Sequence, residues 1–218
     1  MSVVLLVPAT VAGRIATPPA GVDAVVAATA PGRTALDAGG AWWWDAARDA
    51  VAAGADAVWC ADGEPAADAL DALTAPLVDG RSPVLRSGSV VDPDGSLSRA
   101  DLPSWAADPA AMIDLATVAA APVTSASAAS LLVAAAAIRI VGPPDPDRFG
   151  PLADREWTAR AAAYGGAVHR PRSVVRRTDR PWRPSPAVAA RHALALRRAR
   201  VWRIREAGHR AAVLGGWR

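Results

Sequence analysis

The chain of 218 residues holds one cysteine and no lysine. A single thiol cannot close an internal disulfide. Cys60 lies in the apolar run at residues 57–61, where a buried, inert side chain is expected. A reducing, cytoplasmic compartment is the matching expectation. All 24 basic residues are arginine. With the abundance of alanine this reads as codon bias, so the placement of the arginines is more informative than their number. No apolar run reaches the ~18–20 residues that span a bilayer. The longest, residues 126–138, is alanine-rich and interrupted by serine. The first eight residues lack a basic n-region and read as an opening strand rather than a signal peptide. No P-loop and no Ser-His-Asp arrangement is present. His169, His192 and His209 lack metal-ligand spacing and read as structural or surface residues.

What is present divides unevenly. Hydrophobic residues make up 52%, enough for a sizeable core in one α/β domain with an extension. Residues 1–169 carry 10 Arg against 19 acids, net −9; residues 170–218 carry 14 Arg against 2 acids, Asp179 and Glu206, net +12. A basic tail of this kind suits an anionic surface or partner, such as membrane phospholipid or a diphosphate. Nucleic acid fits worst, because the tail has few aromatics to stack on bases and no recognisable motif. Three prolines from Pro181 to Pro186 mark a linker. The expected division is a domain over residues 1–180 and an extension over 181–218, with residues 186–214 as one Arg-rich helix. On a helical wheel its arginines do not segregate, so it either packs on the domain with Arg stems snorkelling outward or lies on a membrane surface.

Along the domain, residues 3–7 and 22–29 read as strands with at most a very short helix between them. Residues 41–53 read as a helix with Trp43, Ala47, Ala50 and Val51 on one face. Of Trp42, Trp43 and Trp44, the second is the core candidate. At least one of the others should border a cleft, where it could stack on a ligand. Residues 57–61 form a short apolar strand that ends in Asp62-Gly63-Glu64. Ligands bind at the carboxyl ends of strands in open α/β sheets, and two carboxylates there can hold a divalent cation. Residues 66–77 read as a helix, 83–91 as extended, Asp92-Pro93-Asp94-Gly95 as a turn, and 100–121 as loop and short helix. Residues 130–138 form an apolar segment and 141–147 a rigid loop. Residues 154–164 read as a helix ended by Gly165-Gly166, and Val174-Val175 as a last strand.

Three stretches make a family resemblance. Gly39-Gly40 with the following helix, strand and Asp62-Gly63-Glu64 resembles the Gly-rich helix, strand and Asp-x-Asp motif of family 2 glycosyltransferases, in the manner of the actinobacterial galactofuranosyl- and rhamnosyltransferase-like branch. Residues 83–95 resemble the strand after that motif. Val141-Gly142-Pro143-Pro144-Asp145 with Ala153-Asp154-Arg155-Glu156-Trp157-Thr158-Ala159-Arg160 resembles the acceptor-side loop and helix. The resemblance implies a GT-A fold, a Rossmann-like mixed sheet flanked by helices. It also implies inverting transfer of a sugar from a nucleoside diphosphate sugar to an acceptor hydroxyl, for which a lipid-linked cell-envelope acceptor at the inner membrane face suits the basic tail. By the same resemblance Asp62 and Glu64 hold Mg²⁺ or Mn²⁺ and Asp154 is the general base. Pro8, Ala9, Thr10, Gly39, Gly40, Ala61 and Asp62 meet the sugar nucleotide, and Glu156 and Trp157 lie on the acceptor side. The chain departs from the family pattern at four places. The second strand lacks its terminal Asp, the last metal-motif position is Glu64, the first acid of the later pair is Ala153, and the metal-binding His position matches Arg176 or Arg177. Either arginine could contact the diphosphate directly. Two alternatives stay open: a glycosyltransferase-like binding or scaffold protein that has lost catalysis, and a nucleotidyltransferase, faintly echoed in residues 8–14.

Overall fold

A computed structural model describes residues 1–28, 41–77, 80, 82–98, 101, 104–105, 120–178 and 186–198. Gly39, Gly40, His209, the proposed linker before Pro186 and the remainder of the basic tail lie outside them. The architecture is α/β, with parallel and antiparallel strands in one sheet and helices against it. Among the described residues the strand order is β2-β1-β3-β8-β5-β9-β7-β6, where β6 is Ser104–Trp105 and β7 is Ala121–Ser125, with a short β4 (Glu64–Pro65) paired to β9.

The strand β1 (Val3–Val7) pairs in parallel with β2 (Ala24–Ala27) on one side and β3 (Ala57–Ala61) on the other. Every residue of β3 is buried, as expected for an apolar run covered on both faces. The edge strand β2 is largely exposed. Between β1 and β2 there is only the four-residue α1 (Ala9–Ala12), in line with the short connection in sequence. Next to β3 lies β8 (Ser130–Ala134), antiparallel to it and to β5 (Leu85–Val91). β5 then runs parallel to β9 (Ala167–Arg176). Two antiparallel steps restore direction, so β1, β2, β3, β5 and β9 all point their carboxyl ends to one edge. At that edge stand Pro8, Asp62, Asp92 and Arg177.

Several elements differ from the sequence expectation, each for a local reason. The helix over residues 41–53 is α2 (Trp44–Ala52), preceded by a turn. The helix over 66–77 contracts to α3 (Ala69–Thr74). Its expected start is drawn into the sheet: Glu64 and Pro65 form β4, and the Ala66 amide donates to the Val174 carbonyl at 2.9 Å. The apolar segment 130–138 splits into β8 and α4 (Ala135–Val141); its burial alone does not distinguish strand from helix. Residues 141–147 are loop only in part, because Pro146–Phe149 forms α5 with Asp145 as its cap. Residues 153–165 form α6 (Ala153–Gly165), and Gly166 ends it at φ 79°. The short last strand is instead the ten-residue β9. Its His169, Arg170 and Arg172 hide the apolar alternation in sequence, although His169 and Arg170 are buried.

α2, α4 and α6 cover one face of the sheet. Their contact is built on Trp43, Trp44 and Trp157. The Trp43 and Trp157 rings lie 4.9 Å apart at 76°, and Trp44 lies 5.7 Å from Trp157. Trp43 is the core residue anticipated, and Trp44 belongs to the same cluster rather than to a ligand cleft. Trp42 is half-buried and lines a groove of about 730 Å³ between α2 and the β1–β2 edge. α3 covers the opposite face with Leu70 and Leu73. The helix α7 (Pro186–Arg198) packs beside α5 and the 3-10 turn at Gly150–Leu152. No described helix is long and apolar enough to cross a membrane.

Candidate functional site

The acids and arginines at the carboxyl edge meet around one guanidinium. Arg177 directly follows β9, and its amide donates to the Val91 carbonyl at 2.8 Å, which fixes its position beside the end of β5. Its Nε and Nη2 donate to Asp62 Oδ2 at 3.0 and 2.7 Å. Its Nη1 donates to Asp101 Oδ2 at 2.8 Å and to Asp92 Oδ1 at 3.2 Å. Asp101 also accepts from the hydroxyls of Ser98 at 2.7 Å and Ser127 at 2.8 Å. The Arg177 side chain is 9% exposed, Asp101 11% and Asp92 18%, whereas Asp62 keeps 35%. The cluster therefore opens to solvent at Asp62.

The charges tune one another. Burial pushes the Asp101 carboxyl up, but Arg177, the Ser98 hydroxyl and Arg155 outweigh it and hold the group below its ordinary value. Burial would lower the Arg177 guanidinium, but Asp101 and Asp62 raise it above its ordinary value. The result is a fixed cation amid fixed anions.

Asp154 sits in the first turn of α6, 6% exposed. Its Oδ2 accepts from the Ala128 amide at 2.8 Å and its Oδ1 from the Arg155 amide at 2.7 Å. Burial lifts its pKa to about 6, against the pull of Arg155 and the Ala128 amide, and Asp101 adds to the rise. The loop at residues 126–129 thus meets both candidate acids, Asp154 through its carboxylate and Asp62 through its backbone amide. Ala128 donates to Asp154, and the neighbouring Ala129 carbonyl accepts from the Asp62 amide at 2.9 Å. Thr158, one turn further along α6, grips the same loop through both the amide and the carbonyl of Ala126.

Ala61 is buried at the end of β3, and Pro8 is buried after β1; Ala9 and Thr10 are exposed on α1 at the same edge. Glu64 is exposed on β4 and pairs in register with Arg176, itself exposed, so neither side chain belongs to the Arg177 cluster. Trp157 presents no acceptor face: its ring is fully enclosed, and its Nε1 donates to the Gly142 carbonyl at 2.6 Å. Glu156 is occupied by Arg160, at 2.7 and 3.0 Å, and Arg160 also donates to the carbonyls of Val141 and Pro143. These residues clamp the 141–144 loop to α6. His169 is buried, shares a 3.0 Å hydrogen bond with Ser87 through Nδ1, and is held down to about pKa 4 by burial and Arg155.

The expected Mg²⁺ or Mn²⁺ does not fit this donor set. Among the described residues no group of three or more His, Cys, Asp or Glu is arranged to hold a metal ion. Asp62 is engaged by a guanidinium, and Glu64 is exposed on β4 in register with Arg176. Arg177, a candidate diphosphate contact, directs four of its five N–H donors to carboxylates. Sequence reasoning missed Asp92 and Asp101. Asp92 carried the same signal as Asp62, an acid directly after an apolar strand, and was absorbed into a turn reading. Asp101 carried no local signal. No protein-family model matches the chain, and no curated protein matches it.

Proposed function

We propose that the chain is a GT-A-type glycosyltransferase domain. It takes a nucleoside diphosphate sugar at the carboxyl edge of its sheet and transfers the sugar, with inversion, to an acceptor hydroxyl. The observation that carries the reading is that one loop, residues 126–129, holds both the Asp154 carboxylate and the Asp62 backbone amide. Asp62 and Asp154 are the two acids that the family resemblance assigns to the diphosphate side and to the base.

Asp154 suits the role of base. A carboxylate with a pKa of about 6 is ionised at neutral pH yet basic enough to accept a proton from a hydroxyl as it attacks the anomeric carbon. Each oxygen has a lone pair beyond the one its amide donor takes. The exposed α1 residues Ala9 and Thr10 border the same edge and are the candidates to meet the nucleoside. The Arg-rich chain beyond residue 170 supports an acceptor presented at an anionic lipid surface.

The second reading, a sugar-nucleotide-binding protein without catalysis, is favoured by the enclosure of Asp154 and by the commitment of Asp62 to Arg177. Incubation with UDP-, GDP- and dTDP-sugars, followed by measurement of nucleoside diphosphate release, separates the two. Transfer or hydrolysis that falls ~10²–10⁴-fold in Asp154→Asn, with binding retained, supports the enzyme. Binding without release supports the second reading. Absence of binding to every sugar nucleotide rejects both.

A further inference from the structure

The carboxylates at this edge come from three parts of the chain: Asp62 after β3, Asp92 after β5, and Asp101 beyond the turn that follows β5. Brought together without a cation they would repel, and their burial would add a desolvation cost to each charge. Sites of this composition commonly solve the problem with a hard divalent cation. Here the cation is a side chain of the protein itself. We infer that Arg177 is the resident cation of this edge, a guanidinium that has taken the place of a metal ion, so that the site is assembled without a divalent ion and excludes one.

The geometry carries this directly. The fork of Arg177 reaches Asp62 with one side and Asp92 and Asp101 with the other. A dication approaching Asp62 would compete at Oδ2 with two donors of a 91%-buried guanidinium. A guanidinium is planar and permanently charged, and it matches carboxylates through paired N–H groups. It also has backbone support that a metal lacks. The Arg177 amide is bonded to the Val91 carbonyl, and the Arg176 backbone lies so close to Gly63 that a Cβ there would collide with it. The chain thus fixes both the cation and the turn carrying Asp62. Any diphosphate bound here meets a preformed cluster in which three carboxylates outnumber one guanidinium and whose most exposed member is Asp62, so it must draw its counter-charge from other arginines.

The inference rests on the ion pairs and not on the glycosyltransferase reading, and its test needs no sugar nucleotide. Mn²⁺ is titrated into the full chain by electron paramagnetic resonance and thermal shift. No bound Mn²⁺ and no stabilisation at millimolar concentration are expected. Binding that Asp62→Asn abolishes would overturn the inference. In parallel, Arg177→Met is expected to raise the unfolding constant ~10²–10³-fold. Much of that loss should be recovered when Asp101→Asn is added, because one stranded charge is then removed. Equal loss with and without Asp101→Asn would overturn the inference, since it would show that packing and not charge is what Arg177 supplies. Should Arg177→Met not fold, Arg177→Lys replaces it. Lysine keeps the charge but not the fork, so an intermediate loss eased by Asp101→Asn is expected, and the same equality would overturn the inference.

Discussion

At the scale of single residues, the molecule places two buried titratable groups with opposite demands on pH. Folded Asp154 binds its proton at about pH 6, against an ordinary value of 3.8. The folded state holds that proton more tightly, so acidification through this window stabilises the fold. Folded His169 titrates at about 4, against an ordinary value of 6.5. There the unfolded chain takes the proton first, so acidification from 6.5 to 4 destabilises the fold. The two windows nearly coincide and the shifts are similar in size. The unfolding free energy of the wild type is therefore expected to be nearly flat from pH 6.5 to 4. His169→Gln should grow more stable over the same range, measured by urea unfolding. Asp101 acts at lower pH. Its depressed value gives stability that is present above about pH 4 and is lost below it.

At the scale of elements, two features hold the site in place. The α6 helix reaches both flanking loops, through Asp154 and Thr158 to residues 126–129, and through Trp157 and Arg160 to residues 141–144. Trp157→Ala should cost about 3–5 kcal/mol, because it empties the centre of the tryptophan cluster. Thermal or urea unfolding reads this loss. The second feature is the turn between β3 and β4. A Cβ at Gly63 would collide with the Arg176 backbone. Gly63→Ala is expected to cost at least about 1–3 kcal/mol and to loosen the β4–β9 pairing, seen as lost hydrogen-exchange protection near Arg176.

What could be read from sequence follows from how local each signal is. β1, β3 and the end of α6 were marked by continuous apolar runs and by Gly165-Gly166, and their bounds agree with the structure to within a residue. β9 was all but invisible, because its buried His169 and Arg170 interrupt the apolar pattern; only the fold provides them with partners. The start of α3 was misplaced because pairing of Glu64 and Pro65 with β9 overrides the local helical pattern. At the site, Asp62 and Asp154 could be picked out from their neighbours in sequence, and their approach to one loop emerges only from the fold. The three-carboxylate grip on Arg177 depends on Asp101, an acid in a stretch without periodicity.

At the scale of the whole molecule, the charge asymmetry acquires a direction. α7 packs beside α5 and the turn that leads into α6, on the side of Asp154, and Arg191, Arg197 and Arg198 on it are exposed. A basic surface there would hold the carboxyl edge near an anionic bilayer. Each arginine close to such a surface contributes about 1 kcal/mol. Replacing Arg191, Arg197 and Arg198 by Gln should therefore weaken flotation with phosphatidylglycerol liposomes on the order of 10²-fold, with the fold unchanged by circular dichroism. Unchanged flotation would remove the helix from any membrane role.

The proposed binding of a sugar nucleotide at the carboxyl edge is open to a nuclear magnetic resonance titration of the full chain with UDP-, GDP- and dTDP-sugars. One nucleotide class is expected to shift amide signals at Ala9, Thr10, Asp62 and Ala128, and the same class to raise the melting temperature. Shifts confined to surfaces away from these residues, or no shifts with any of the three classes at millimolar concentration, would contradict it.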